Sequence, residues 1–255
     1  MFPPAPPERP LRTNVTGGFD MLGRTVSAPT RARAETVNAF MRGVYNWMFV
    51  GLAVTAGAAW FTASSPAMLQ LVFGNSFVLI GLILAELGLV MGISAGIARL
   101  SGGAATGLFV LYSALNGITL SAVLLAYTMS SVFQAFATAA GMFGAMSLYG
   151  LTTKKDLTSW GSFLFMGLIG ILIASVVNMF VGSSAASMAI SAIGVIVFTG
   201  LTAYDSQKLR MMGETAPMDD ATAIRRGTIL GALTLYLDFI NLFLMLLRLF
   251  GSSRD

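Results

Sequence analysis

The chain contains no cysteine and no histidine. Without cysteine there is no disulfide, no thiolate metal site and no cysteine nucleophile. Without histidine there is no Ser-His-Asp triad, no His-ligated zinc or haem, and no histidine pH switch. Any proton chemistry therefore falls to Asp, Glu, Lys, Arg or Tyr. Charge is scarce as well. Charged residues make up 10% of the 255 positions and hydrophobic residues 56%, where a soluble domain carries about 25% charge. So little charge cannot cover a water-exposed surface, and a soluble enzyme is excluded. Proline is nearly absent from the body of the chain: Pro3, Pro4, Pro6, Pro7, Pro10 and Pro29 are six of the eight. No Walker-type phosphate loop is present, which argues against an ATP-driven pump.

What is there is apolar sequence in long runs, with a mean hydropathy of +0.79. Residues 1–42 read as a disordered polar tail, with a short surface helix near Arg31–Arg42 and no apolar run of signal-peptide length. Residues 43–250 read as seven spans: 43–63, 77–98, 105–127, 131–151, 161–182, 187–206 and 228–249. Each is near the length needed to cross about 30 Å of hydrocarbon. The runs are continuous rather than alternating, which favours helices over a barrel. Residues 251–255 form a C-terminal tail. The fold class is therefore an all-α integral membrane protein of seven transmembrane helices.

The basic residues sort by loop. Thirteen of the fifteen lie in the N-terminal tail or after spans two, four and six; the exceptions are Arg248 and Arg254. The loops after spans one, three and five have none. The positive-inside rule then places the N-terminus in the cytoplasm and the C-terminus outside. A re-entrant last segment, which Arg248 and Arg254 would suit, would return the C-terminus to the cytoplasm. The net charge of +4 is thus a topology signal, and nucleic acid is not an expected partner.

Three acids lie in or at the edge of a span: Glu86, Asp205 and Asp238. An acid at the centre of a membrane helix costs on the order of 2.5–3.5 kcal/mol on insertion scales, so each is a functional candidate. The alternative for Glu86 is a protonated acid bonded to a neighbouring helix. Asp205 and Asp238 sit on consecutive antiparallel spans and could face each other if span seven begins a few residues before Thr228 or dips deeper. Two carboxylates in one dry site cannot both ionise easily, so the pair would share a proton near neutral pH and lose it as pH rises. That makes them the pH-sensor candidates. Arg99 is either a counter-ion for Asp205 or an interface anchor. Gly88, Gly92 and Gly96 form a small-residue strip on span two, suited to close helix approach. Gly92-Ile-Ser-Ala-Gly96 also matches a nucleophile-elbow pattern, but it lacks a strand-turn-helix context and a histidine partner. No lysine falls within a span, which excludes a retinal protein.

The segment Leu235-Tyr-Leu-Asp-Phe-Ile-Asn-Leu-Phe-Leu-Met-Leu-Leu-Arg248 resembles the last helix of the Bax inhibitor-1 family. Further matches are Ile196-Val-Phe-Thr-Gly-Leu-Thr-Ala-Tyr-Asp-Ser-Gln-Lys208, Lys154-Lys-Asp-Leu157 and Asn116-Gly-Ile-Thr-Leu120. Glu86 falls where the family has an acid in its second span. The resemblance covers about residues 40–250. It implies six helices wrapped around a central seventh. It also implies a pH-sensitive calcium leak in bacterial members and restraint of cell death in eukaryotic ones. By motif, the family's aspartate pair falls on Asp205 and Asp238, and its helix-two arginine on Arg99.

These readings converge on a passive, pH-sensitive cation leak with calcium as the expected ion, in a bacterial inner membrane. Asp205 and Asp238 would make weak calcium contacts, and Glu86 is the ion-pathway candidate. Calcium prefers six to eight oxygen ligands in a stable site, whereas a leak needs only transient binding. No cofactor and no catalytic residue are expected. The partners are lipid, protons and calcium, with a membrane-protein partner and the choice between monomer and homo-oligomer left open. The alternatives are a proton-coupled cation exchanger, or an interaction protein that regulates a protease or stress partner without transport.

Overall fold

The structure is a computed structural model that describes residues 18–215 and 220–253, with side chains from residue 33 onward. Among the described residues the chain forms eight helices. They are α1 (Gly18–Ala63), α2 (Pro66–Phe73), α3 (Ser76–Gly96), α4 (Gly102–Ala126), α5 (Met129–Thr152), α6 (Thr158–Val181), α7 (Ser184–Thr215) and α8 (Ala221–Phe250). All but the short α2 are long and apolar enough to cross a membrane. The protein is thus an all-α integral membrane protein with seven candidate spans.

The helix ends follow local chemistry. Ser65, Asn75, Ser101, Thr128 and Asp220 each turn a side-chain oxygen onto a free amide of the first turn that follows. Pro66 opens α2 where its missing N–H costs nothing. Gly182 ends α6 in the left-handed region at φ 70°, a conformation that favours glycine.

α8 is the axis. Ile229, Leu233, Leu235, Tyr236, Leu242, Leu246 and Leu247 on it are almost fully buried. Helices α1, α4, α5 and α7 pack directly on α8, while α3 lies on α4 and α6 on α7. In lipid, apolar surface supplies little drive for helices to associate, so close backbone approach and interhelical hydrogen bonds carry more of the stability. Two glycines permit such approach. A Cβ at Gly117 of α4 would lie 2.4 Å from the Thr55 carbonyl oxygen of α1. One at Gly150 of α5 would lie 2.2 Å from the Ala203 carbonyl oxygen of α7.

Several expectations are corrected. Residues 18–42 are helical rather than a disordered tail, and residues 1–17 of that tail lie outside the described residues. The C-terminal part of this stretch packs on the bundle: Phe40 meets Gly213 of α7 and Gly227 of α8, and just beyond it Val44 meets Gly231 of α8. The loop expected between spans six and seven, over residues 207–227, is mostly helix, because α7 runs to Thr215 and α8 starts at Ala221. Its arginines are compatible with helix because each has a partner. Arg225 lies 5.6 Å over the Trp47 ring, and Arg226 donates to the Leu100 carbonyl. The Gly88, Gly92 and Gly96 strip faces open space rather than another helix.

The last segment is not re-entrant. α8 is 30 residues long, or about 45 Å, enough for a full crossing. It starts at the end of the bundle that carries Arg99, Lys154 and Lys155, hereafter the basic end. It finishes beside the α4–α5 turn at the opposite end. There Ser253 bridges Tyr127, Ser252 N–H donates to Ser131 Oγ at 2.9 Å, and Thr128 N–H donates to the Ser252 carbonyl at 3.2 Å.

Candidate functional site

Asp205 lies ten residues before the end of α7 and Asp238 seventeen residues after the start of α8. The early start of α8 is what brings the two together across the antiparallel pair. Their carboxyl groups lie within hydrogen-bonding reach of each other. Asp238 is 5% exposed and Asp205 is half-buried. The buried Asp238 Oδ2 finds no N–H or O–H donor among the described residues. Two carboxylates are both acceptors, so a hydrogen bond between them needs a proton on one of them. The geometry therefore suits a pair that holds one proton between two acids.

Both acids line a cleft of about 480 Å³ between α6, α7 and α8. Phe165, Leu168, Phe198, Leu201 and Leu237 form its apolar wall, and Ser162, Tyr204, Thr234 and Asn241 add polar groups. The hydroxyl of Thr234 and the amide nitrogen of Asn241 are turned back to carbonyls of their own helix, Leu230 and Leu237. Neither of them donates to the buried Asp238 Oδ2.

The cation lining this cleft is Lys208, one turn after Asp205 on α7 and near enough for the two charges to interact. Its amine lies 5.9 Å from the centre of the Tyr204 ring. Arg99, the counter-ion candidate from the sequence, is exposed in the turn after α3 and does not line the cleft. The spacing of three between Asp205 and Lys208 could have identified the lysine, because residues three apart are neighbours on a helix. Ending span six at residue 206 had put Lys208 in a loop.

Glu86 belongs to a different cluster. Its carboxylate accepts from Asn116 Nδ2 at 3.2 Å and from Thr119 Oγ1 at 2.5 Å, which ties α3 to α4. Tyr236 Oη on α8 donates to Asn116 Oδ1 at 2.9 Å and lies 2.6 Å from Thr55 Oγ1 of α1. This polar chain joins four helices inside the bundle. Tyr236 and Asp238 are two residues apart, which on a helix turns them about 200° from each other. The Glu86 cluster and the aspartate pair thus lie on opposite faces of α8. The sequence offers a bond from Glu86 to a neighbouring helix as one alternative but does not name the partners; the spacing of three between Asn116 and Thr119 is the available signal for them.

A third buried chain lies beside the pair. Tyr45 of α1 bonds Ser147 of α5, and Ser147 Oγ lies 2.8 Å from Ser206 Oγ, next to Asp205 on α7. At the basic end, Gln207 holds the α5–α6 loop. Its Oε1 accepts from Leu157 N–H at 2.8 Å and its Nε2 donates to the Lys155 carbonyl at 2.8 Å. In the same loop, the hydroxyl and backbone N–H of Thr158 hold the Asp156 carboxyl below its usual range. Among the described residues no group of three or more acids is placed to hold a resident metal ion.

Comparison with known proteins fits this architecture. The family model described as "Inhibitor of apoptosis-promoting Bax1" matches residues 37–255. The chain is 57% identical over 215 residues to the Escherichia coli (strain K12) protein named inner membrane protein YbhL, covering 84% of this chain and 92% of that one. It is 42% identical over 231 residues to an uncharacterized protein of Rickettsia prowazekii, RP147, covering 91% and 97%. An uncharacterized membrane protein of Streptococcus pyogenes, M6_Spy0327, is 36% identical over 221 residues, covering 85% and 94%.

Proposed function

We propose, from the premise that this chain belongs to the Bax inhibitor-1 family, that it is a passive, pH-sensitive cation leak with calcium as the transported ion. Its location would be a bacterial inner membrane, the location named for its Escherichia coli relative. The N-terminus is assigned to the cytoplasm, because the basic loops cluster at one end of the bundle.

The observation that carries the reading is the aspartate pair: two carboxyl groups in bonding reach, with no other donor for the buried Asp238 Oδ2. One proton holds the two acids together and so holds α7 to α8. As pH rises and that proton leaves, two like charges remain in a poorly solvated site and repel. The α7–α8 contact then has two arrangements selected by pH, which is what a pH-sensitive gate requires. Calcium enters as cargo. The few oxygens here suit transient passage, since a lasting calcium site would supply six to eight ligands.

The test is calcium flux into liposomes that hold the purified protein, across pH 5.5–8.5. Wild type should pass calcium down its gradient with a rate that changes with pH. Asp205→Asn and Asp238→Asn, which keep the shape but abolish the shared acidic proton, should flatten that dependence. Wild-type pH dependence in both variants refutes the gate. Uphill calcium movement driven by an imposed pH gradient would replace the leak with a proton-coupled exchanger. No flux above empty liposomes at any pH would favour an interaction protein.

A further inference from the structure

We propose that Lys208 is a tethered counter-cation of the aspartate pair, which competes with metal cations for Asp205 and keeps divalent ions from resting there. The inference rests on the leak reading above, and it deepens it by naming what sets cation affinity at that site.

Three observations carry it. Lys208 lines the same cleft as Asp205 and Asp238. It stands one helical turn from Asp205 on α7, near enough for the two charges to interact. Its side chain is exposed, and its amine lies near the Tyr204 ring rather than in an ion pair. A lysine amine is a compact charge on a flexible four-carbon stem with three donors. It can therefore swing between the ring face and the acids without moving a helix. A metal ion in the cleft needs the same carboxylate oxygens that the amine would use.

The other groups facing the pair offer no substitute. The cleft-lining residues of α6 are Gly161, Ser162, Phe165 and Leu168, none of them charged. α7 contributes Tyr204, Asp205 and Lys208, and α8 contributes Asp238 alone as a charged group. Arg99 is absent from the lining. The counter-charge is thus supplied by α7 itself, and α3 need not be docked against the acids to neutralise them. That fits the placement of α3, which lies on α4 and is mostly exposed.

The test uses the full chain in lipid nanodiscs, with Mn²⁺ as the probe and its electron paramagnetic resonance signal as the readout of bound metal. Lys208→Met should bind Mn²⁺ about tenfold tighter than wild type, the scale on which one charge at close range biases a carboxylate. Lys208→Arg should retain wild-type affinity, and Arg99→Ala should leave it unchanged. Adding Asp205→Asn to Lys208→Met should cancel the gain, which ties the effect to the pair rather than to surface charge. Equal Mn²⁺ binding by Lys208→Met and wild type, detectable or not, overturns the proposal, as does a gain that survives Asp205→Asn. Calcium flux in liposomes, run in parallel, separates the two ideas. Tighter Mn²⁺ binding with no flux in any variant would support the counter-cation and refute the leak. Normal pH-dependent flux with no change in Mn²⁺ binding would do the reverse.

Discussion

Substituting Gly150 by alanine tests the packing that sets the aspartate pair in place. The added Cβ would sit 2.2 Å from the Ala203 carbonyl oxygen and 3.0 Å from its carbon. Carbon–oxygen contacts between helices settle at about 3.3–3.6 Å, so α5 and α7 would have to part by about 1 Å. The clashing atoms are backbone, and no rotamer change relieves them. One turn away on the same face, the 2.8 Å contact between Ser147 and Ser206 would stretch beyond hydrogen-bonding range. Overpacking of this kind costs about 1–3 kcal/mol, and a lost interhelical hydrogen bond in a membrane bundle adds about 0.6 kcal/mol. Better helix propensity offsets up to about 1 kcal/mol. The net expectation is a loss of about 1–3 kcal/mol, dominated by the overpacking. Gly92→Ala is the matched control, because a Cβ there meets no heavy atom within 4 Å. It should be neutral or stabilising by up to about 1 kcal/mol. Unfolding of both variants in a graded series of SDS in mixed micelles, followed by circular dichroism, gives the comparison. Gly150→Ala as stable as Gly92→Ala would refute the close α5–α7 contact.

Other expectations follow from the same geometry. Gln207→Ala would strip partners from Leu157 N–H and the Lys155 carbonyl. It should cost about 1–3 kcal/mol and speed proteolysis of the α5–α6 loop, whereas Gln207→Glu should restore only the acceptor half. Tyr236→Phe removes the donor to Asn116 Oδ1 and should cost about 0.6–2 kcal/mol in the same SDS assay. A double-mutant cycle with Glu86→Gln should show coupling, since Asn116 bonds both residues. Thr158→Val removes the hydroxyl that helps hold the Asp156 carboxyl low. Its titration by carbon-detected NMR should move up toward the ordinary carboxylate range. Because the folded-state value is depressed, the stabilising contribution is full above the unfolded-state value and is lost as pH falls through the folded one. The variant should therefore lose acid-dependent stability, and an unchanged titration would show that the hydroxyl does not act on Asp156.

Hydrophobic run length revealed the seven spans, because a crossing helix must satisfy its backbone within itself and be apolar for about 20 residues. The same rule obscured what lies beyond the hydrocarbon. Charged residues mark 207–227 as loop, yet Arg225 and Arg226 find partners on Trp47 and Leu100, and the helix continues through them. The stretch 18–42 reads as tail because the contacts of Phe40 near its end are with glycines 170 or more residues away, at Gly213 and Gly227. The two aspartates stood out because an acid in a span is costly, and the condition for their meeting, an earlier start to the last helix, was readable as well. Their cation was not found, since a span boundary drawn at residue 206 hid the helical spacing of Lys208. The neighbours of Glu86 were missed for another reason: Asn116 and Thr119 are ordinary polar residues until the α3–α4 contact turns them onto one carboxylate.

The stitch between residues 252–253 and the α4–α5 turn bears on how the bundle is assembled. Ser131 Oγ receives the N–H of Ser252, and the Ser252 carbonyl takes the N–H of Thr128. The N-terminal turn of a mid-chain helix is therefore finished by residues made more than a hundred positions later. The corner of α5 stays unfinished until α8 and the residues after it are in place. A reporter fused directly after Phe250 would leave the corner open permanently. Fusion at the other terminus would leave it closed.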